Sequence, residues 1–167
     1  MPLNLIKIYN QLLDIVGMDV RQRTESLRRI FKRDFVDNAP VFMHKPIHPT
    51  PIDGNNKIEN LFYHITTHMV DRTTREREFE MERSIRLHWI RYHLEQRKQN
   101  NMLIFSVKEP EGIRTYIYDI DEKYVIILEP LRVRDAYYFI TAYHLEGKDD
   151  RRNKIEKKYK RRLDNVL

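Results

Sequence analysis

Between Leu131 and Leu145 the chain reads Leu-Arg-Val-Arg-Asp-Ala-Tyr-Tyr-Phe-Ile-Thr-Ala-Tyr-His-Leu, a β-prone run that also carries two arginines, three tyrosines, a threonine and a histidine. Arg132, Arg134, Thr141, Tyr143 and His144 supply cations, hydroxyls and one group that titrates near neutrality, a mixture suited to a phosphate-bearing ligand. In a regular strand Thr141 and Tyr143 project from one face together with Tyr137 and Phe139. Tyr138, Ile140, Ala142 and His144 occupy the other. Ile140 and Ala142 suit a face packed on helices, so Tyr137, Thr141 and Tyr143 are expected to face the ligand and His144 to point away. His88 and Arg91, one helical turn apart, form a second pair that could line a cleft between helix and sheet. The competing structural readings are local pairings: His88 and Arg91 with neighbours such as Glu95 or Glu82, or Arg132 and Arg134 with Glu129 or Asp135.

Other chemistries are harder to write. Seven histidines invite a metal, and His64 and His68 have the i, i+4 spacing of two ligands on one helix face. They lack the glutamate of the zinc-protease motif and a third ligand. His44 and His48 lie in a proline-rich stretch and read as loop residues. No metal and no cofactor are therefore expected. The four glycines, Gly17, Gly54, Gly112 and Gly147, are isolated, so no phosphate-cradling loop exists. The absence of cysteine removes thiol catalysis, disulfides and thiolate zinc sites. What remains is chemistry done with cations, histidine and hydroxyls on a sheet. Metal-independent RNA cleavage, which needs a base for the ribose 2′-hydroxyl, cations for the phosphate and an acid for the leaving oxygen, is one reaction that arginine, histidine, threonine and tyrosine could serve.

The elements that must position these groups follow from length and pattern. A chain of 167 residues with 41% hydrophobic and 34% charged residues is expected to fold as one domain. Its net charge is +6, and residues 148–164 hold nine basic and four acidic side chains, so five of the six net positive charges lie there. Such a patch favours nucleic acid or an acidic surface. Tyr137, His144, Arg151, Arg152, Lys157, Lys158 and Arg161 are the expected RNA contacts. Neither a leader peptide nor a membrane-length apolar run can be read, so a cytoplasmic protein without membrane contact is expected.

The spacing predicts a helix over Leu3 to Val16 with Gly17 as its cap, then a second helix after Asp19, whose capping box with Gln22 precedes Leu27, Ile30, Phe31 and Phe35. Residues 38–56 form a proline-rich connector in which Val41 to Met43 could add an edge strand. A short helix from about Lys57 to His68 follows. A long one from about Arg75 to Arg97 shows Met81, Ile85, Trp89 and Tyr92 on one side and Phe79, Leu87, Ile90 and Leu94 on the other. After Asn100 the period becomes strand-like: Met102 to Val107, Arg114 to Ile120, Tyr124 to Leu128 and Ala136 to Leu145, joined by short turns that favour an antiparallel meander. Ile155, Tyr159 and Leu163 predict a last basic helix over residues 148–167. The expected fold is α+β: a mainly helical segment 1–100 packed on a four-stranded antiparallel meander over 101–146, then the basic helix.

The run Arg83 to Leu94, Arg-Ser-Ile-Arg-Leu-His-Trp-Ile-Arg-Tyr-His-Leu, followed by a meander ending in Tyr-Tyr-Phe-Ile-Thr-Ala-Tyr, resembles the barnase, EndoU, colicin and RelE-like nucleases of phage and mobile elements. That resemblance implies metal-independent RNA cleavage in a toxin or phage-effector setting, with an antitoxin or immunity protein as partner. It assigns the phosphate cation to Arg132 or Arg134, the strand hydroxyl to Thr141, and acid/base work and its support to His88 and Arg91. The last strand has no glutamate to act as base, which leaves the base unassigned. Two other classes compete: a non-catalytic nucleic-acid-binding module and a phage structural or assembly protein.

Overall fold

The structure, a computed structural model, describes residues 9–55, 57–151 and 153–167, without the side chains of residues 149 and 151. A twelve-residue helix α1 (Val20–Phe31) opens on the expected capping box, with Asp19 accepting from the Gln22 N–H and Gln22 from the Asp19 N–H. It runs on into a π-helical turn, Lys32–Val36, and buries Leu27, Ile30, Phe31 and Phe35. Helix α2 (Ile58–Thr66) buries Leu61, Phe62 and Ile65.

The expected four-stranded meander is a six-stranded, curled mixed sheet. Strands β1 (Val41–Phe42) and β2 (Lys45–Pro49) come from the proline-rich connector. A two-stranded hairpin, β3 (Thr67–Asp71) and β4 (Glu76–Phe79), stands apart from the main sheet. The meander itself is present as β5 (Met102–Glu109), β6 (Gly112–Asp119), β7 (Tyr124–Pro130) and β8 (Tyr137–His144). The order is β1-β2-β8-β7-β6-β5, and β2 pairs parallel with β8. This pairing was hidden because Pro46 and Pro49 argue locally against a strand, whereas the partner that orders them lies about ninety residues away.

Two predicted helices are also corrected. Leu3 to Ile8 lie outside the described residues. Gln11 to Ile15 have no regular structure, and the chain alternates: Leu13 and Ile15 are buried while Leu12 and Val16 are exposed. The Leu13 N–H donates to the Ile85 carbonyl, so this segment lies as a strap over the later helices. The long helix over Arg75 to Arg97 is instead β4 followed by two short helices, α3 (Met81–Ser84) and α4 (Trp89–Leu94). Between them, N–H groups of Arg86, Leu87, Trp89 and Ile90 bond carbonyls three residues back. This tighter winding advances the side chains by about 120° per residue instead of about 100°. Ile85, Leu87, Trp89, Ile90 and Leu94, apparently on two sides of a helix, therefore enter one core.

That core lies between α1, α2, α3, α4 and one face of the sheet, which contributes Ile117, Tyr124, Ile126, Leu128, Tyr137, Phe139 and Ala142. The opposite face carries a smaller cluster, Phe105, Val107, Tyr116, Tyr118 and Val125, covered by Ile155 and Tyr159 of α6 (Lys154–Lys160). The expected last helix is shorter, split into α5 (Gly147–Arg151) and α6. Beyond it the chain follows edge strand β5: the Leu163 N–H donates to the Ser106 carbonyl, and the Leu167 N–H to the Ser106 hydroxyl. Among the described residues, no helix is long and apolar enough to cross a membrane.

Candidate active site

The β7–β8 pairing contains a bulge that rearranges the expected site. Ile127 faces Thr141, yet the next residue, Leu128, faces Phe139, so β8 has one extra residue at Ile140 and Thr141. A bulge reverses the inward–outward alternation. Tyr137 and Phe139 point into the helix-covered core before it and Ala142 after it. Thr141 pairs with Ile127 and Tyr143 packs beside it, both on the opposite face. Tyr137, expected to meet RNA, is fully buried, and its hydroxyl donates to the Leu167 carbonyl at 2.7 Å.

His88 and Arg91 lie on the helix side, so the sheet separates them from Thr141 and Tyr143. His88 is 6% exposed, and neither of its ring nitrogens completes a hydrogen bond. Burial lowers its pKa to about 4, and Arg33 adds to this against the opposing Gln11 backbone. His64 is lowered to about 4 as well, by burial and by Arg77 and Arg83. Arg91 is a clamp: its Nη1 donates to the carbonyls of Asp34 (3.0 Å) and Asn38 (2.8 Å), and its Nη2 pairs with Glu95 at 2.6 Å.

Neutral buried histidine binds fewer protons than its unfolded counterpart between pH 6.5 and about 4, so His88 leaves stability intact above pH 6.5 and erodes it as pH falls toward 4. The loss is of the order of 3 kcal/mol. In urea unfolding series from pH 7 to 4, His88→Leu is expected to show a visibly shallower decline than the parent protein. Arg91→Ala is expected to cost about 1–3 kcal/mol in the same assay and to leave any RNA cleavage by the folded protein unchanged.

The basic residues of the tail divide. Lys158 pairs with Glu109 and also donates to the Tyr116 hydroxyl at 2.9 Å, and Arg161 pairs with Glu109 at 3.1 Å. They dock α6 on β5. Lys157 is exposed; Arg152 and the side chain of Arg151 lie outside the described residues. His144 is turned to the helix side, 3.2 Å from Glu146.

What the sheet does bring together is a row of polar side chains on the face opposite the main core. His48 of β2 pairs with Tyr138 of β8, and Tyr138 with Glu129 of β7. Glu129 meets Arg114 of β6, Nη1 to Oε1 at 3.5 Å. Directly paired residues project from the same face, and Arg114 precedes Thr115, which pairs with the core-facing Leu128, so His48, Tyr138, Glu129 and Arg114 form a ladder across four strands. At about 4.8 Å per strand, the Cα atoms of His48 and Glu129 are about 10 Å apart, with Tyr138 between them. Ile47, Pro49, Tyr137 and Phe139 alternate with this row and are buried, whereas His48, Tyr138 and Glu129 are only half-buried.

Glu129 also borders a cavity of about 420 Å³ whose lining includes Lys45, Pro130, Leu131 and Arg132. Both proposed ion-pair partners of the loop arginines are engaged by other cations, Glu129 by Arg114 and Asp135 by Lys45. Among the described residues Arg132 and Arg134 make no ion pair. Arg132 lines the same cavity as Glu129, with Arg134 exposed in the same loop. Strand parity could have found Glu129, which sits between Leu128 and Pro130, and Arg114, which sits between Ile113 and the buried Thr115. No local signal places His48, because its position depends on the parallel pairing of β2.

A second polar cluster is buried on the helix side. Asp119, fully buried, accepts from His93 Nε2 at 2.8 Å, from Lys98 and from the Glu122 N–H at 3.2 Å, while His93 Nδ1 lies 2.6 Å from the Trp89 carbonyl. Burial would raise the Asp119 pKa, but the hydrogen bonds outweigh it and hold the carboxyl below its usual range. Tyr9 stacks on Tyr92 and reaches Asp119 at 3.4 Å, closing the cluster from the strap. Its enclosure marks it as a structural anchor. No family model, curated protein or solved structure matches the chain.

Proposed function

We propose that the protein cleaves RNA without a metal, with its reacting centre on the ladder His48–Tyr138–Glu129–Arg114. The observation that carries this reading is the convergence on one sheet face of an imidazole, a phenol and a carboxylate in directly paired positions, with a guanidinium in ionic contact with the carboxylate. Glu129 supplies the base that the last strand lacks. It takes the proton of a ribose 2′-hydroxyl, and the 2′-oxygen attacks the adjacent phosphorus. Arg114 neutralises the charge that builds on the non-bridging oxygens. Protonated His48, two strands away, gives its proton to the departing 5′-oxygen. Tyr138 lies between acid and base, placed to stack on a base or hydrogen-bond the phosphate.

Thr141 and Tyr143 lie on the same face farther along β8, where Tyr143 packs against the cluster that α6 covers, and Arg132 borders the cavity beside Glu129. His88 and Arg91 take no part. The test is cleavage of an RNA oligonucleotide in EDTA by the purified chain and by His48→Gln and Arg114→Gln variants. Activity in the parent protein with losses of about 10²-fold or more in both variants supports the site. Cleavage insensitive to both substitutions would remove it. Salt-dependent RNA binding without cleavage would favour the binding-module alternative instead.

A further inference from the structure

On the helix side of the sheet, away from the ladder, Glu82 of α3 meets His144 at the end of β8 and Glu146 just beyond it. One ligand atom from each of the three residues lies within 4.8 Å of the other two. His144 Nδ1 is 3.2 Å from Glu146 Oε1. Two donors that share one cation in a tetrahedral shell, at bond lengths near 2.1 Å, stand about 3.4 Å apart. The pair is therefore already spaced as two ligands of one ion.

Glu82 is held in place from behind. Arg86 Nη1 donates both to the Glu82 carbonyl at 2.7 Å and to its Oε2 at 2.9 Å. Arg86 is only 8% exposed, so the carboxylate it holds is fixed to a buried side chain. A buried guanidinium that fixes one carboxylate oxygen leaves the other to bind a cation, as outer hydrogen bonds orient metal ligands elsewhere. The β8 bulge sets His144 on the same side as the buried Ala142, which is what turns its ring toward α3.

We propose that Glu82, His144 and Glu146 bind a divalent transition-metal ion, with zinc the best match to one imidazole and two carboxylates. Three protein ligands leave the remaining coordination positions to water. The ion pins α3 to the end of β8, tying the helical layer to the point where the chain leaves the sheet for α5 and α6. It is a stabilising site on the opposite face of the sheet from the ladder, whose chemistry uses no metal.

The full chain, stripped with EDTA and exchanged into chelator-free buffer, would be titrated with zinc chloride by calorimetry and then melted with and without zinc. One equivalent is expected to bind, raising the melting temperature by roughly 5–10 °C at a hundredfold excess over Kd. His144→Gln and Glu82→Gln are each expected to weaken binding by about tenfold or more and to remove most of that shift, while His64→Gln retains both. The absence of saturable binding, unchanged affinity in His144→Gln and Glu82→Gln, or loss of binding in His64→Gln would overturn the proposal. RNA cleavage that persists in EDTA has no bearing on these outcomes, so the two proposals fail separately.

Discussion

Glu129→Gln is expected to lower RNA cleavage by about 10²–10⁴-fold while leaving the fold in place. Glutamine preserves the shape of the side chain but cannot accept the 2′-hydroxyl proton. Glu129 is only half-buried, and its ionic contact with Arg114 spans 3.5 Å, a partly exposed pair of the kind worth at most about 1 kcal/mol. The urea midpoint should therefore move little, and the loss should fall on turnover. If Glu129 acts only as a structural partner of Arg114, the variant would instead keep its turnover. A drop in RNA affinity with unchanged turnover would assign Glu129 to binding and would contradict the base.

The largest effect on stability is expected at Asp119. Asp119→Ala removes the shared acceptor of His93 and Lys98 and leaves His93 Nε2 inside the core without its partner. Breaking one member of a buried charged group costs about 3–5 kcal/mol, which for a chain of this size corresponds to a fall of roughly 6–20 °C in melting temperature. The pH dependence has a definite sign. A carboxyl held below its usual range stabilises the fold above that range and ceases to do so as the pH falls through its folded pKa. The parent protein should lose this contribution in acid, and Asp119→Ala, which never had it, should converge on the parent there. Equal stability of the two proteins at pH 7 would show that the cluster does not anchor the fold. Tyr9 stacking and the Asn10 to Glu122 hydrogen bond at 2.7 Å connect the same cluster to the strap, so the strap should loosen with it.

The parts of this architecture that were legible in the chain are those governed by neighbours in sequence. The Asp19–Gln22 capping box and the apolar spacing of Leu27, Ile30 and Phe31 specify α1 locally, and the strand periods with short turns specify β5 to β8. Distant pairing decided the rest. Glu76 to Phe79 are good helix formers except for Phe79, yet Thr67 to Asp71 pair with them and the alternation of Arg77 and Phe79 prevails. Residues 81–94 remain helical in character, but tighter winding at Arg86 to Ile90 merges two apparent faces into one.

The same division explains the site. Arg132, Thr141 and Tyr143 were visible as chemistry-bearing residues on or beside one strand. The bulge at Ile140 and Thr141 then separated them from Tyr137, and a one-residue shift of this kind leaves no mark in composition. The prolines on either side of His48 speak locally for a loop. Only the parallel register with β8 places it beside Tyr138. His88 and Arg91 are three residues apart, but their surroundings are a closed core and a backbone clamp, which local spacing does not reveal.

The most direct measurement is the fate of a single-stranded RNA oligonucleotide and its all-deoxy counterpart incubated with the purified chain in EDTA, with the product ends identified by mass spectrometry. Attack by the 2′-oxygen requires that RNA be cut, that its fragments carry 2′,3′-cyclic phosphates and 5′-hydroxyls, and that the deoxy strand stay whole. Intact RNA, or cleavage of both strands alike, would contradict a ladder of His48, Tyr138, Glu129 and Arg114 as the reacting centre.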